Sequence, residues 1–389
     1  MFEHRALSFL CFEQHACSMF RATRLTAKQI EEFEPLSSLT LPLPRLQRPR
    51  VSIVICNYNY GQFLDAAIRS AFEQSYPCEV IVVDDGSTDE SRGLLEQWKS
   101  QVAVVLQPNQ GQRAAYNTGF SKSEGDVVVF LDSDDQLEPH AIEKVVDAFG
   151  AGVAKVHFRL ALMDREGELM GPHIPAALGQ GEVFEALLRH RVLYGSAPGS
   201  GNAYRRSVLE QLFPLPVSAV DKVAADFFTI FGSAAFGNVE AIRECLGRYR
   251  IHESAKQSAE AEDFGNAIQG QDINLLFARV YQEFHSWMKE RTKGKVVPPT
   301  QLRDFSRLKA RYARTVFTSK RYPLFSSATG ELPELLGALW YRNDYTLLQK
   351  VAATGWSLAL LVCPPGLLRP LTRYLTNPAS RQRRSVRAT

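Results

Sequence analysis

The chain has 389 residues, with 45 Lys plus Arg against 42 Asp plus Glu for a formal charge of +3, and 45% hydrophobic and 22% charged residues. That composition excludes a disordered or fibrous chain, and a nearly neutral balance gives no argument for nucleic acid as a partner. No run approaches the roughly 18 apolar residues that a spanning helix needs, so the expected class is a water-soluble chain of two or three domains.

The first 48 residues read as an N-terminal extension that runs into a linker, because Pro35, Pro42, Pro44 and Pro49 block helix and central strand alike. Glu3 and Glu13 interrupt the apolar stretch near the start, so no secretory signal is expected there. Cys11, Cys17, Cys56, Cys78, Cys245 and Cys363 form no CxxC pair and read as reduced thiols, which predicts a cytoplasmic protein without a Cys-rich zinc site.

From residue 49 the pattern becomes regular. VSIVIC (51–56), EVIVV (79–83), VAVVL (102–106) and DVVVFL (126–131) are short β-branched apolar runs, predicted as strands buried on both faces of a largely parallel sheet. Helical stripes alternate with them. Leu64, Ala67, Ile68, Ala71 and Phe72 follow the first run, and Leu94, Leu95 and Trp98 follow the second, with Ser87 and Glu90 as a capping box. Pro139 suits a first helical turn ahead of Ile142, Val145 and Val146. Alternation of this kind predicts a doubly wound α/β domain over 49–255, whose ligands bind outside the carboxyl ends of the strands. Residues 256–389 read as a helical region with a basic tail. From Tyr345 to Thr389 there is no Asp or Glu, while Lys350, Arg369, Arg373, Arg381, Arg383, Arg384 and Arg387 are present.

The predicted carboxyl ends carry Asn57-Tyr58-Asn59-Tyr60-Gly61, Asp84-Asp85-Gly86-Ser87 and Asp132-Ser133-Asp134-Asp135. One reading of the last is a solvated acidic turn. Directly after a buried strand, however, three carboxylates this close repel one another and call for a compensating cation. All-oxygen ligands suit Mg²⁺ or Mn²⁺, which take their remaining ligands from water and phosphates.

The ordered segments VSIVICNYNYGQFL, EVIVVDDGSTD, NQGQRAAYNTGF and GDVVVFLDSDDQLEP resemble the nucleotide-sugar half of family 2 glycosyltransferases. That resemblance implies the GT-A fold, with a Rossmann-like nucleotide half, and inverting glycosyl transfer from a nucleoside-diphosphate sugar assisted by Mn²⁺ or Mg²⁺. It implies that Asn57, Tyr58 and Asn59 line the base and ribose and that Asp85 contacts the base, which favours UDP. Asp132 and Asp134 match the DxD pair as metal ligands, Asp132 lying nearer the ribose, and Asp135 would position the donor sugar. Many members carry Arg where this chain has Tyr116; Arg113, one helical turn earlier, is the candidate phosphate-binding cation.

The second half should supply the base. VAADFFTIFG matches the family's Glu-Asp helix with Ala225 in place of the Glu, so Asp226 is the implied catalytic base and Asp221 its competitor. A carboxylate among Phe227, Phe228 and Ile230 would have a raised pKa, which suits that task. Tyr249-Arg250-Ile251-His252 resembles the family's closing segment, whose His is a further metal ligand or touches the diphosphate; a nitrogen ligand favours Mn²⁺. Gly199-Ser200-Gly201-Asn202 resembles the flexible stretch beside the acceptor channel.

Two rival readings keep the fold: a sugar-phosphate nucleotidyltransferase, and a non-catalytic nucleotide-sugar-binding protein. The expected acceptor is a carbohydrate or a lipid-linked carbohydrate in surface polysaccharide or glycoconjugate synthesis. The tail is read either as a docked helix with a basic end, or as a peripheral anchor on the inner membrane face with Trp356 to Val362 among the headgroups.

Overall fold

The computed structural model describes residues 39, 41–217, 223–252, 273–303, 334–342 and 345–376. The N-terminal extension up to residue 38, Asp221, and the arginines at 381, 383, 384 and 387 lie outside the described residues.

Strands β1 (Val51–Asn57), β2 (Cys78–Asp84), β3 (Ala103–Leu106) and β4 (Val127–Asp132) form the parallel half of a nine-stranded sheet, in the order β3-β2-β1-β4. Alternation of side chains along each strand explains why both faces are covered. Val54, Ile81, Val83, Val128 and Phe130 pack in one core with Ala115 and Tyr116 of helix α3 (Gln112–Lys122). Ile53, Ile55, Val82, Val129 and Leu131 pack in the other, against α1 (Gly61–Phe72), α2 (Ser91–Trp98) and α4 (Ala141–Ala148). Each fully buried aliphatic side chain contributes about 1.5–3 kcal/mol. The proline-rich stretch lies along this domain: Leu43 is buried, its carbonyl accepts from Gly152 N–H at 2.7 Å, and Arg205 donates to the Pro44 carbonyl.

Three local expectations are corrected. The run at 102–106 is not buried on both faces. It becomes the edge strand β3, with Ala103 and Leu106 exposed, because among the described residues nothing pairs with its outer side. Ser87 does not cap α2; its hydroxyl accepts from Asn57 Nδ2 and Asn59 N–H, while Asp89 takes the Ser91 and Gly61 amides. Pro139 sits in the turn before α4, which begins at Ala141.

Beyond β4 the sheet becomes mixed. β5 (Gln136–Leu137) is followed by α4, and then by β6 (Val153–Met163), β7 (Leu169–Ile174), α5 (Phe184–His190), β8 (Asn202–Arg205), α6 (Arg206–Leu212), α7 (Ala225–Ser233) and β9 (Asn238–Arg250). β8 runs antiparallel between β4 and β6, and β9 lies parallel to β6 and antiparallel to β5. The short β5–β9 pairing, Gln136 opposite Arg248, brings the end of β9 beside the acidic loop that follows β4.

α8 (Ile273–Arg291) buries Val280, Tyr281, Phe284, Trp287 and Met288 in the same core as Phe228 and Ile230 of α7. A smaller cluster joins Leu335, Ala338 and Leu339 to Ala353 and Trp356 of α9 (Leu347–Val362) and Leu368 of α10 (Pro365–Thr376). Trp356 is therefore a core residue. Its indole N–H donates to Thr372 Oγ1, and it does not face outward as the anchor reading required. Among the described residues, no helix is long and apolar enough to cross a membrane.

Candidate functional site

Strand register assembles the site. Asn57 lies opposite Asp84 across β1–β2, and Cys56 opposite Asp132 across β1–β4, so the polar ends fall on one edge. That edge opens into a cleft of about 570 Å³, lined among others by Asn57, Tyr58, Asp85, Gln112, Asp132, Asp134 and Tyr249.

On one side of the cleft, buried Asn57 donates through Nδ2 to Asp84 Oδ1 and Ser87 Oγ, and its own Oδ1 has no partner. Tyr58 is half exposed at the opening. Asp85 Oδ1 accepts from Gln107 Nε2 and Gln110 N–H, and Oδ2 accepts from Gly111 N–H at 2.7 Å. A carboxylate has about four acceptor positions, so Asp85 ties down the loop ahead of α3 and keeps one position for a ligand. Asn59 has a different part. In the left-handed region at φ 57°, it accepts from Thr88 N–H and is not among the cleft-lining residues; it holds the turn.

The three acids after β4 diverge. Asp132 and Asp134 line the cleft. Asp135 is buried away from it, its Oδ2 accepting from Ser200 Oγ at 2.6 Å and its Oδ1 from Arg250 N–H at 2.9 Å. The contact with the donor sugar expected for Asp135 is therefore not what its side chain makes here; it fastens the acidic loop to β9. His252 Nε2 lies 2.8 Å from Asp134 Oδ2, and its ring sits against Tyr60 and Phe63. Burial, then the neighbouring charges of Asp134 and Asp226, push Asp132 up to about 8 against hydrogen bonds from Gln112 and Ser200. Burial raises Asp135 as well, reinforced by Asp134 and Asp132. A nearby cation is Arg250, whose N–H donates to Asp135 and whose guanidinium interacts with Asp134 and Asp135.

Arg113 does not reach the cleft. It is buried under α7, donating to the carbonyls of Val223 and Pro216 and to Glu283 of α8 at 2.6 Å, with its guanidinium 4.4 Å from the Phe228 ring centroid. The expectation of a phosphate-binding cation at that position is corrected: Arg113 pins α8 to the domain. Tyr116 is stacked on Phe130 at 4.1 Å, and its hydroxyl is buried without a hydrogen-bond partner.

Asp226 occupies the first turn of α7. Burial raises its pKa, against hydrogen bonds from the amides of Phe227, Asp226 itself and Gly199, and against the charge of Lys155. The 199–202 turn joins the two sides. A Cβ on Gly199 would stand 3.2 Å from Asp132 Oδ2 and 3.5 Å from both Asp226 Cβ and the Tyr116 hydroxyl. Ser200 Oγ accepts from Asp132 N–H and donates to Asp135. Asn202 Nδ2 donates to the carbonyls of Ala197, Pro198 and Gly199. The stretch read as flexible is instead a braced strut, and Gly201 in it has no room for a side chain, with Ala197 Cβ 2.5 Å from the position of a Cβ.

Sequence reasoning overlooked Gln112, which accepts from Ala225 N–H at the start of α7 and lines the cleft with Asp132, whose pKa it holds down. Its place just after Gly111, whose φ of 92° sharpens the entry to α3, was the available signal. It also overlooked the fully buried Lys155, which nothing in the pattern of β6 marks.

Comparison with known proteins gives a consistent set of matches. The model of the glycosyl transferase family 2 matches residues 52–213. A glycosyltransferase of Nostoc sp. is 38% identical over 252 residues, covering 59% of this chain and 76% of that one. The putative glycosyltransferase EpsH of Bacillus subtilis is 27% identical over 256 residues, 63% of this chain and 74% of the relative. The undecaprenyl-phosphate 4-deoxy-4-formamido-L-arabinose transferase of Pseudomonas fluorescens is 42% identical over 111 residues, 26% of this chain and 33% of that enzyme. The solved structure of S. aureus TarS 1–349 with UDP-GlcNAc aligns over 84% of this chain and 86% of that one, at 16% identity and a TM-score of 0.44. The extent of the Nostoc match, together with the family model over the four ordered segments, shows that the chain belongs to glycosyl transferase family 2.

Proposed function

We propose that this glycosyltransferase moves a sugar from a nucleoside-diphosphate sugar, UDP-linked by preference, to an acceptor hydroxyl by a single inverting displacement. The observation that carries the reading is the meeting of Asp132 and Asp226 across Gly199, which sets the acidic end of the nucleotide cleft against a desolvated carboxylate on α7. Asn57, Tyr58 and the open acceptor position of Asp85 would take the ribose and base. Asp226 would accept the proton of the acceptor hydroxyl as its oxygen bonds to the anomeric carbon; the bond to the diphosphate breaks, and the nucleoside diphosphate leaves. Burial suits Asp226 to that role, because a base works best with a pKa near the working pH.

The acids also suit a divalent cation. Asp134 and His252 stand in contact with each other, Asp132 faces the same cleft, and burial followed by the charge of Asp134 disfavours a free carboxylate at Asp132. Among the described residues, no three His, Cys, Asp or Glu form a ready-made cage, which fits an ion that completes its shell with diphosphate and water. Mn²⁺ or Mg²⁺ held there by Asp134 and His252, with Asp132 alongside, would supply Lewis-acid neutralisation of the departing diphosphate. A screen of UDP- and GDP-sugars for nucleotide release with and without Mn²⁺ tests this. Metal-stimulated release from one donor is expected, and no release from any would overturn the reading.

A lipid-linked acceptor fits relatives such as the undecaprenyl-phosphate 4-deoxy-4-formamido-L-arabinose transferase, and a role in surface polysaccharide synthesis fits the putative teichuronic acid biosynthesis glycosyltransferase TuaG of Bacillus subtilis. It also fits the outer face of the C-terminal helices. Leu347, Leu348, Val351, Leu358 and Leu367 are exposed there, in a segment without acids. That face would rest on anionic lipid, each nearby Lys or Arg adding about 1 kcal/mol. The full chain should float with anionic liposomes, and a Leu347→Glu, Leu348→Glu, Val351→Glu variant should not. Equal recovery of both in the soluble fraction would remove the membrane contact.

A further inference from the structure

Lys155 is an ionisable amine where burial alone would not put one. It lies on β6 with no solvent exposure, among the apolar residues of a central strand. Lysine is almost never fully buried unless its charge has a partner. Among the described residues, no carboxylate touches its amino group. Nζ donates to Tyr194 Oη at 2.9 Å and to Ser196 Oγ at 2.8 Å, and it lies 5.1 Å from the centroid of the Tyr194 ring. Neighbouring His157 adds no charge to help. Burial and Lys155 itself disfavour its protonation, and its two ring nitrogens lie near the Gly179 carbonyl and Ser196 Oγ.

Both partners of the amine lead to the surroundings of Asp226. Tyr194 donates its own proton to the Ile230 carbonyl at 2.6 Å, one helical turn along α7 from Asp226. Ser196 donates to Asn202 Oδ1 at 3.2 Å; Asn202 Nδ2 grips the carbonyls of Ala197, Pro198 and Gly199, and Gly199 lies against Asp226, a Cβ there standing 3.5 Å from Asp226 Cβ. Two short chains of hydrogen bonds thus start at one nitrogen and end on two pieces of backbone beside Asp226.

Among the described residues, the titratable groups that interact with Asp226 include Asp132 at the end of β4, Tyr116 of α3, Tyr204 of β8, Tyr249 of β9 and Lys155 of β6. Burial pushes the Lys155 amine well below the usual lysine range, and the Asp226 carboxylate is the charge that favours its protonation.

We propose that Lys155 is a positioning residue for the transfer step, a buried amine that fixes Asp226 by bracing α7 through Tyr194 and the 197–199 turn through Ser196 and Asn202. It touches neither donor nor acceptor. The proposal rests on Asp226 being the base.

The test uses the full-length enzyme with the sugar nucleotide that gives the fastest release in the screen above. Lys155→Met keeps the length of the side chain and removes its amino group. A fall in kcat of about tenfold or more, with donor KM and nucleotide affinity within about twofold of wild type, is expected for an interaction that acts on the step and not on donor binding. Unchanged kcat, or kcat and nucleotide affinity falling together, would overturn it. Should that variant not fold, Ser196→Ala keeps the amine and cuts one brace. A fall in kcat of several fold at constant KM supports the proposal, and a wild-type kcat contradicts it. Asp226→Asn separates the two ideas. If it turns over normally, the base assignment fails; if it is inactive while Lys155→Met is fully active, only the positioning role fails.

Discussion

The two halves of the sheet solve different problems. The parallel half has β2, β1 and β4 packed in apolar cores on both faces, with β3 at its edge, and gathers the polar residues at the carboxyl ends of those strands into the cleft. The half built on β6, β8 and β9 carries polarity inside: Lys155, His157, Asn202 and Arg205 are all buried on its strands and all hydrogen-bonded. Fully satisfied buried networks rigidify a structure, and partly satisfied ones are costly. The contrast teaches that the first half presents a ligand surface, whereas the second aims one carboxylate.

The largest effect expected lies on the cleft side. Asp134→Ala should reduce nucleotide release about 10³-fold, the scale on which loss of charge stabilisation at a leaving group acts, and should abolish any Mn²⁺ dependence of UDP affinity. Wild-type turnover in that variant would break the comparison on its first side. Asp226→Asn should slow transfer about 10²–10⁴-fold and leave UDP affinity unchanged, since it removes a base and no donor contact. Because burial raises the pKa of Asp226, the same measurement against pH should show wild-type transfer declining as pH falls through a value above the ordinary carboxylate range. A rate flat down to pH 4 would place the base elsewhere.

Gly199→Ala sharpens the boundary between the halves. Its methyl group would lie 3.2 Å from Asp132 Oδ2, tighter than a comfortable contact, so Asp132 or α7 must give way. A loss of about tenfold in kcat is expected, in line with the sensitivity of near-attack geometry to small displacements. The smallest effect concerns stability. Asp132 binds its proton more tightly in the folded chain, at about 8, than in the unfolded chain, so folding loses stability as pH rises from the ordinary carboxylate range towards that value. In buffer without metal or nucleotide at pH 8, Asp132→Asn should melt higher, by about 2–4 °C for each kcal/mol of relieved desolvation and repulsion. A lower Tm would show that the carboxylate is already compensated.

How much of this was legible in the sequence follows the same division. β1, β2 and β4 could be read because strands covered on both faces are continuous apolar runs, and the acids after them stood out against that background. Asp132 and Asp134 were found for that reason, and both line the cleft. Local pattern does not say where a side chain turns next. Asp135 faces Ser200 and Arg250, 65 and 115 residues away in the chain, and Arg113 faces Glu283, 170 residues away. Those partners exist only after β8, β9 and α8 have docked. Ser87 was misread because a hydroxyl three residues before Glu90 makes a capping pattern whether or not Asn57 and Asn59 claim it first. Trp356 stayed between two readings, a docked helix and an anchor, because an apolar run looks the same facing lipid as facing Leu335 and Leu368. Lys155 left no trace, since one lysine in a strand pattern reads as a solvent-facing residue.

The central claim is that the acidic loop after β4 holds a divalent cation against the diphosphate of a sugar nucleotide. A crystal grown with Mn²⁺ and UDP, measured at a wavelength where manganese scatters anomalously, tests it most directly. The account predicts an anomalous peak touching Asp134 and His252, with the uracil ring against Asp85. A nucleotide bound in the cleft with manganese absent from that loop, or a cleft that excludes the nucleotide, would contradict it.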